Sequence, residues 1–350
     1  MLKKSELLQE NAALIALLRT IGKSHDTWSS IAEKVARQGS AIQVFEHELD
    51  PQHHRLDDPD EDDEYGDRTQ MMLLGEDDVP VTTQRRVQLL QAHKEAEALV
   101  HNWEKHGLDM VSVLDERYPL SLREVVDMPP FLFSKGRFLS PNQQDLGVSV
   151  VGSRNAGPEA LHFASDVATM LVSKGLTVIA GLALGVDAEA HHRALQEHGR
   201  TVAFIGTGIG KYYPAKNRQL QDLIGRKGQV FSQFWPWQEP AKWTFPARNA
   251  TMSGYGIATV IVEAHEYSGT RVQARQAQHH GRPIIIRDVV VDHTEWGNRL
   301  AHKPNVYVVS NVDDVARAIN SIQRVNGELR DAIKGLIAQA SDYAKRVLLV

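Results

Sequence analysis

The 350-residue chain contains no cysteine, which excludes disulfide bonds, thiolate zinc sites and thiol catalysis. No apolar run approaches the roughly 18–20 residues needed to cross a bilayer. Residues 1–30 lack the apolar core and small-residue cleavage site of a secretory leader. A cytoplasmic protein without membrane contact is therefore expected. Two nucleotide signatures are missing as well. After Gly152 the chain reads Ser-Arg-Asn-Ala-Gly instead of completing Gly-x-Gly-x-x-Gly. Gly206-Thr-Gly-Ile-Gly210 runs into Lys-Tyr-Tyr-Pro instead of a helix, and no Walker lysine follows any glycine-rich turn. NAD-type and ATP-hydrolysing readings are set aside, and no cofactor, metal or catalytic residue is implied.

Positive charge is also in short supply, with a net charge of −5. Its distribution matters more than its sum. Residues 46–80 hold 14 acids against 2 bases, whereas residues 150–290 hold 15 bases against 10 acids. An anionic partner for the second stretch is thus compatible with an acidic chain. Hydrophobic content of 42% and charged content of 24% are ordinary for a globular protein, and the length suits a main domain with a satellite.

Residues 5–49 carry apolar side chains at helical spacing (Leu7, Leu8, Ala12, Ile15, Leu18, then Trp28, Ile31, Val35, Ile42) and predict a small helical module over 1–50. DDPDEDDEYGD (57–67) has seven acids in its first eight residues. It reads as a solvated linker or insertion spanning 51–81, or as an acidic arm screening a basic surface. Residues 82–106 are again helical, leading into a domain over 82–310. From 108 onward short apolar strands alternate with amphipathic helices. The strands begin Met110–Leu114, Phe131–Ser134 and Val148–Val151 and end at Val306–Val309. This is the pattern of an α/β fold with a doubly wound, mostly parallel, Rossmann-like sheet. Residues 311–323 and 327–347 predict two closing helices over 311–350.

In such sheets ligands sit beyond the carboxyl ends of the strands. SVVGSRNAGPEAL (149–161) is a strand, a glycine, a serine and arginine, then a helix start, the arrangement that offers backbone N–H groups to an anion. Other strands end similarly: Gly181 through Gly185 and Asp187; Gly206, Thr207 and Gly208; and Ser268, Gly269 and Thr270 after Glu263. The turn between holds Lys211, Tyr212 and Asn217, and Arg248 and Asn249 open a later helix. Singly, each has a bland explanation: a glycine turn, Asp187 as an N-cap, His191 as a packed histidine. Together, at one sheet edge, they predict a cleft for a phosphate-bearing ligand, with Tyr212, Trp243 and Phe245 as stacking faces.

In order, LDERYPLSLREVVDMPPFLFSKG (114–136), VVGSRNAGPEAL (150–161), AGLALGVDAEAHHRAL (180–195), FIGTGIGKYYPAKNRQL (204–220), FPARN (245–249) and VIVEAHEYSGTRVQA (260–274) resemble the motifs of the DprA/Smf family. The resemblance implies single-stranded DNA binding, a homodimer, and loading of a RecA-type recombinase. It assigns DNA contacts to Gly152, Ser153, Arg154, Lys211, Arg248 and Asn249, over a floor of Gly181, Gly206 and Gly208. The chain departs from the family in RNATMSGYG (248–256), in SGTRVQA (268–274) with its added Arg271, and in the acidic 46–80 stretch. Three functions follow from these readings: a non-enzymatic DNA-binding recombination mediator, a DprA-like regulator that restrains a partner toxin in a defence or toxin–antitoxin pair, and a nucleotide-cleaving enzyme using Glu263 and Arg248.

Overall fold

A computed structural model describes residues 2–20, 25–49, 83–139 and 145–347. The acidic run 57–67, and the whole 51–81 segment around it, lies outside the described residues. Among the described residues no helix is long and apolar enough to cross a membrane. The chain divides into two compact units, Met1–Ser134 and Lys135–Val350.

The first unit contains α1 (Lys4–Thr20), α2 (His25–Gln38), α3 (Ala41–Leu49) and α4 (Thr83–Lys105), followed by β1 (Asp109–Ser112) and β2 (Phe131–Gly136). β1 and β2 pair antiparallel, with Asp109 opposite Ser134 and Ser112 opposite Phe131. Helix α1 is buried continuously from Glu10 to Leu18, so it is the hub of the bundle, covered on every face. Glu10 is the one acid in that buried run. Its carboxylate accepts from the N–H groups of Ala41 (2.5 Å) and Ile42 (3.0 Å) and from the Ser40 hydroxyl (2.8 Å). A negative group thus meets the positive end of α3, whose first-turn donors have no intrahelical acceptor. Trp28, Trp103, Phe131 and Phe133 form an aromatic cluster with centroids 5.1–5.7 Å apart.

The second unit is built on seven parallel strands in the order β6-β5-β4-β3-β7-β8-β9. They are β3 (Gly147–Val151), β4 (Thr177–Ala180), β5 (Thr201–Phe204), β6 (Gln229–Ser232), β7 (Ala258–Ile261), β8 (Ile284–Arg287) and β9 (Val306–Val309). Between them lie α5 (Pro158–Ser173), α6 (Val186–Gln196), α7 (Arg218–Lys227), α8 (Thr244–Tyr255) and α9 (Gly269–His279). Strand alternation sorts the two faces. Val148, Val150, Val178 and Val260 join α5 and α6 in one core, which Val315, Ala318, Ile319 and Ile322 of the last helix complete. Ser149 turns the other way and donates to the Met252 carbonyl of α8 (3.5 Å). On that side Phe204, Phe231 and Tyr255 stack at 5.1–5.9 Å.

Two expectations need correction. The closing segment is one helix, α12 (Val312–Val347), not two. The expected gap at 324–326 is helical: a single helical glycine, Gly327, costs only about 1 kcal/mol, and Arg324 and Glu328 pair along the helix at 3.3 Å. Two short helices were also unforeseen, α10 (Asp288–His293) and α11 (Glu295–Ala301). Thr294 separates them, its hydroxyl accepting from the Gly297 N–H (3.0 Å).

His191 on α6 is fully buried, with Nδ1 2.7 Å from the Thr201 hydroxyl, which itself donates to the Val178 carbonyl (2.8 Å). Burial, reinforced by neighbouring His192, lowers its pKa to about 3. It is a core histidine held neutral, as its bland reading had it.

Two stability predictions follow. Glu10→Ala leaves the first-turn donors of α3 unsatisfied and should cost about 1–3 kcal/mol in urea unfolding. For His191 the unfolded chain, with a pKa near 6.5, binds more protons than the native state at any pH below that value. Its contribution is fully present above pH 6.5 and falls by up to about 1.4 kcal/mol per unit as pH drops toward 3. Urea midpoints measured from pH 7.5 to 4.5 should therefore fall more steeply for the native sequence than for His191→Gln.

Candidate nucleic-acid interface

The strand order reverses at β3. The chain winds from β3 through β4 and β5 to β6 on one side, and from β7 through β8 to β9 on the other. Loops after β3 and β7 therefore diverge, and a crevice opens where they part. A cavity of about 410 Å³ occupies this place, lined by Gly152–Asn155 from β3, by Phe245, Arg248 and Asn249 of α8, and by His265 and Ser268–Thr270 after β7. A recess of about 90 Å³ adjoins it, sharing Arg154, Ala183, Phe245 and Arg248 and adding Gly181, Gly206, Tyr213 and Pro214.

Backbone proximity shapes the floor. Gly185 has φ +77°, and a Cβ there would lie 2.3 Å from the Ser153 carbonyl oxygen, so the turn into α6 packs directly under the Ser-Arg loop. At Gly181 a Cβ would fall within the Arg248 guanidinium. That guanidinium is buried, 7% exposed, and donates from Nη1 to the carbonyls of Gly181 and Phe204 (2.8 Å to the latter) and from Nε to Asn249 Oδ1 (3.0 Å). Arg248 thus ties the ends of β4 and β5 together. Desolvation lowers its pKa to about 10, with Asp187 pulling it back up, so it is cationic at neutral pH.

Asp187 is buried too, at the second position of α6. It does not cap its own helix. One carboxylate oxygen accepts from the Gly181 N–H (2.9 Å) and the Ala183 N–H (3.4 Å). Burial raises its pKa, while Arg248 and the two N–H donors pull it down. Asn217 serves the same loop, donating to the carbonyls of Leu182 (2.9 Å) and Ala183 (3.1 Å). Leu182, at φ +58°, is held in a left-handed conformation by these bonds.

Arg154 differs from Arg248. It is exposed, its guanidinium lies 5.7 Å from the Phe245 ring centroid, and no carboxylate among the described residues pairs with it. The Tyr213 ring packs against Phe245 too, tilted, with centroids 5.5 Å apart, so Phe245 neighbours both Arg154 and Tyr213. Ser153 is buried and accepts from the Asn155 N–H (3.2 Å), which fixes the loop.

Several residues expected at the cleft lie elsewhere. Lys211 pairs with Glu239. Tyr212 donates to Asp222 (2.8 Å) beneath Arg218. Thr207 is buried and its carbonyl accepts from Ser232 (2.6 Å). Gly208 packs on the Trp235–Pro236 backbone, and Trp243 sits edge-on to Phe234, 5.4 Å away. None of these five lines the cavities. Conversely Asn155, Tyr213, His265 and Gln273 line them and were not singled out as contacts. Gln273 is 1% exposed, and neither amide atom has a hydrogen-bond partner; the Ser268 hydroxyl is likewise unmatched. Spacing gave one clue to Gln273: it lies one turn beyond Gly269 and Thr270, on the same side of α9.

The cleft therefore combines an exposed cation, a helix N-terminus with serine and threonine, unsatisfied amide and hydroxyl groups, and two aromatic faces. Comparison with known proteins agrees with this architecture. The family model described as DNA recombination-mediator protein A matches residues 109–320. DNA processing protein DprA of Streptococcus pneumoniae is 38% identical over 178 residues, covering 50% of this chain and 61% of the relative. Protein Smf of Synechocystis is 35% identical over 173 residues, covering 49% and 44%. The alignments thus span about half to three-fifths of those relatives' length. The X-ray structure of the S. pneumoniae protein superposes with TM-score 0.58 at 30% identity, covering 66% of this chain and 81% of that one. A structure of DNA processing protein A from Helicobacter pylori, concerned with that protein's single-stranded DNA binding mode, shares the fold with TM-score 0.52 at 23% identity, covering 63% and 96%. With the family model spanning more than half of its residues, the chain belongs to the DNA recombination-mediator protein A (DprA/Smf) family.

Proposed function

We propose that the crevice between the β3 and β7 loops binds a single DNA strand, and that the protein acts without catalysis as a recombination mediator, associating with itself and with a RecA-type recombinase. The observation that carries this reading is the unpaired Arg154 beside the Phe245 and Tyr213 rings, facing the N-terminus of α9. A single strand needs a cation for its phosphates and flat faces for its bases, and needs them close together. The Gln273 amide offers an NH2 donor group and a carbonyl acceptor to a base edge or sugar. A free nucleotide-cleaving reading finds less support, because the arginine it requires, Arg248, is committed to strand-end carbonyls.

Fluorescence anisotropy with oligo-dT tests the proposal. The native protein should bind with a steep salt dependence. Arg154→Ala should weaken binding and reduce the slope of log K against log salt by about 0.7, one phosphate contact. Phe245→Ala should cost about 1–3 kcal/mol if a base stacks on that ring. Unchanged binding in both variants would remove the cleft from consideration. Arg248→Ala is uninformative here, since losing that guanidinium perturbs β4 and β5 whatever the ligand.

A further inference from the structure

On the outer side of α9 lies a second recess of about 230 Å³, lined by Arg271 and Arg275 of α9, Arg299 and Leu300 of α11, Lys303, and the buried Trp296. It holds four cations and no acid. Arg299 makes one long contact with exposed Glu295 (3.4 Å). No carboxylate among the described residues pairs with Arg271, Arg275 or Lys303. Arg271 and Arg275 stand at i and i+4 on one helix face, an arrangement that repels by a few tenths of a kcal/mol unless an anion lies between. Their Cα atoms are about 6 Å apart along the axis. Trp296 is 6% exposed and its indole N–H donates to the His265 carbonyl (3.2 Å), so it is floor and not a stacking face.

The place of this recess is informative. Thr270 lines the cleft and the next residue, Arg271, lines the recess, so the first turn of α9 is the wall between them. His265 connects them again, lining the cleft with its side chain's neighbourhood while its carbonyl holds the Trp296 floor. Guanidinium groups in an acid-free groove whose one lining ring, Trp296, is buried suit a sugar-phosphate backbone better than bases.

We propose that this groove is a second backbone-binding site, receiving the DNA strand as it leaves the cleft over the first turn of α9. The inference rests on the cleft binding single-stranded DNA, and its test separates the two. Anisotropy is measured with oligo-dT of about 6 nucleotides, enough for the cleft, and about 20 nucleotides, enough to reach both sites. Arg275→Glu combined with Lys303→Glu changes only exposed groups that do not line the cleft. It should leave the short oligonucleotide's affinity unchanged, weaken the long one about tenfold or more, and lower the long oligonucleotide's salt slope by about 1.4, two phosphate contacts. The charge-conserving pair Arg275→Lys with Lys303→Arg should bind both as the native protein does.

A double-glutamate variant with native affinity and slope for the long oligonucleotide, while the short one still binds, overturns the groove and leaves the cleft standing. Equal weakening of both lengths, or a loss in the charge-conserving pair matching the reversal, overturns it too. Failure of the native protein to bind the short oligonucleotide overturns the cleft reading, and the groove with it.

Discussion

The constraint on which the cleft depends is a charge kept out of water. Arg248 buries its guanidinium at the carboxyl ends of β4 and β5, a placement that costs several kcal/mol unless hydrogen bonds and an opposite charge offset it. The offset comes from two strand-end carbonyls, the Asn249 side chain and the field of Asp187. Gly181 is the common partner: its N–H goes to Asp187 and its carbonyl to Arg248. One residue thus satisfies an acid and a base from opposite ends of its peptide groups, and only a residue without a Cβ leaves room for the guanidinium. Nε and Nη1 of Arg248 are thus committed to the floor of the cleft, whose cavity the same residue lines.

That arrangement distinguishes two arginines that look alike in the sequence. Arg248 braces the strand ends while lining the cavity, and Arg154 is exposed and has no carboxylate partner among the described residues. The distinction matters physically because a cation already bonded to carbonyls gains little from a phosphate, whereas an unpaired cation against a ring exchanges only water and counterions. The N-terminus of α9 adds its dipole on the same side, without adding formal charge to a chain that is acidic overall.

Much of this was legible in the sequence. Apolar runs alternating with amphipathic helices gave the sheet, and the glycine-serine-arginine turn and the Ser268–Thr270 segment were brought together as expected because the fold rule for strand ends is general. Less legible was which way a turn faces. Lys211 and Tyr212 lie within a family-like motif, but only their neighbour Tyr213 reaches the cleft, while Glu239 and Asp222 hold the other two away. Those acids are 28 and 10 residues distant, so no local pattern announces them. Arg248 lines the cleft as expected, but its bonds to the strand-end carbonyls of Gly181 and Phe204 were not legible, since those partners are 67 and 44 residues distant. The gap expected at 324–326 is absent because the intrinsic cost of the neighbouring Gly327 is smaller than the gain of continuing a helix already anchored by Ile319 and Ile322.

Gln273 carries the reasoning one step further. A buried amide with neither atom satisfied costs about 1–3 kcal/mol for each group left bare, and the rest of the buried face of α9 is Thr270, Ala274 and Ala277. Alanine at 273 would fit that face without the penalty. A glutamine there, on the same cavity as the unmatched Ser268 hydroxyl, leaves groups that a molecule entering the cleft could satisfy. Binding would then recover a cost the free protein carries, and the recovery is largest for a ligand offering a donor and an acceptor side by side. A nucleobase edge offers such a pair and a bare phosphate, which only accepts, does not, so under the proposed role Gln273 is the group that would favour a nucleic acid strand over an inorganic anion.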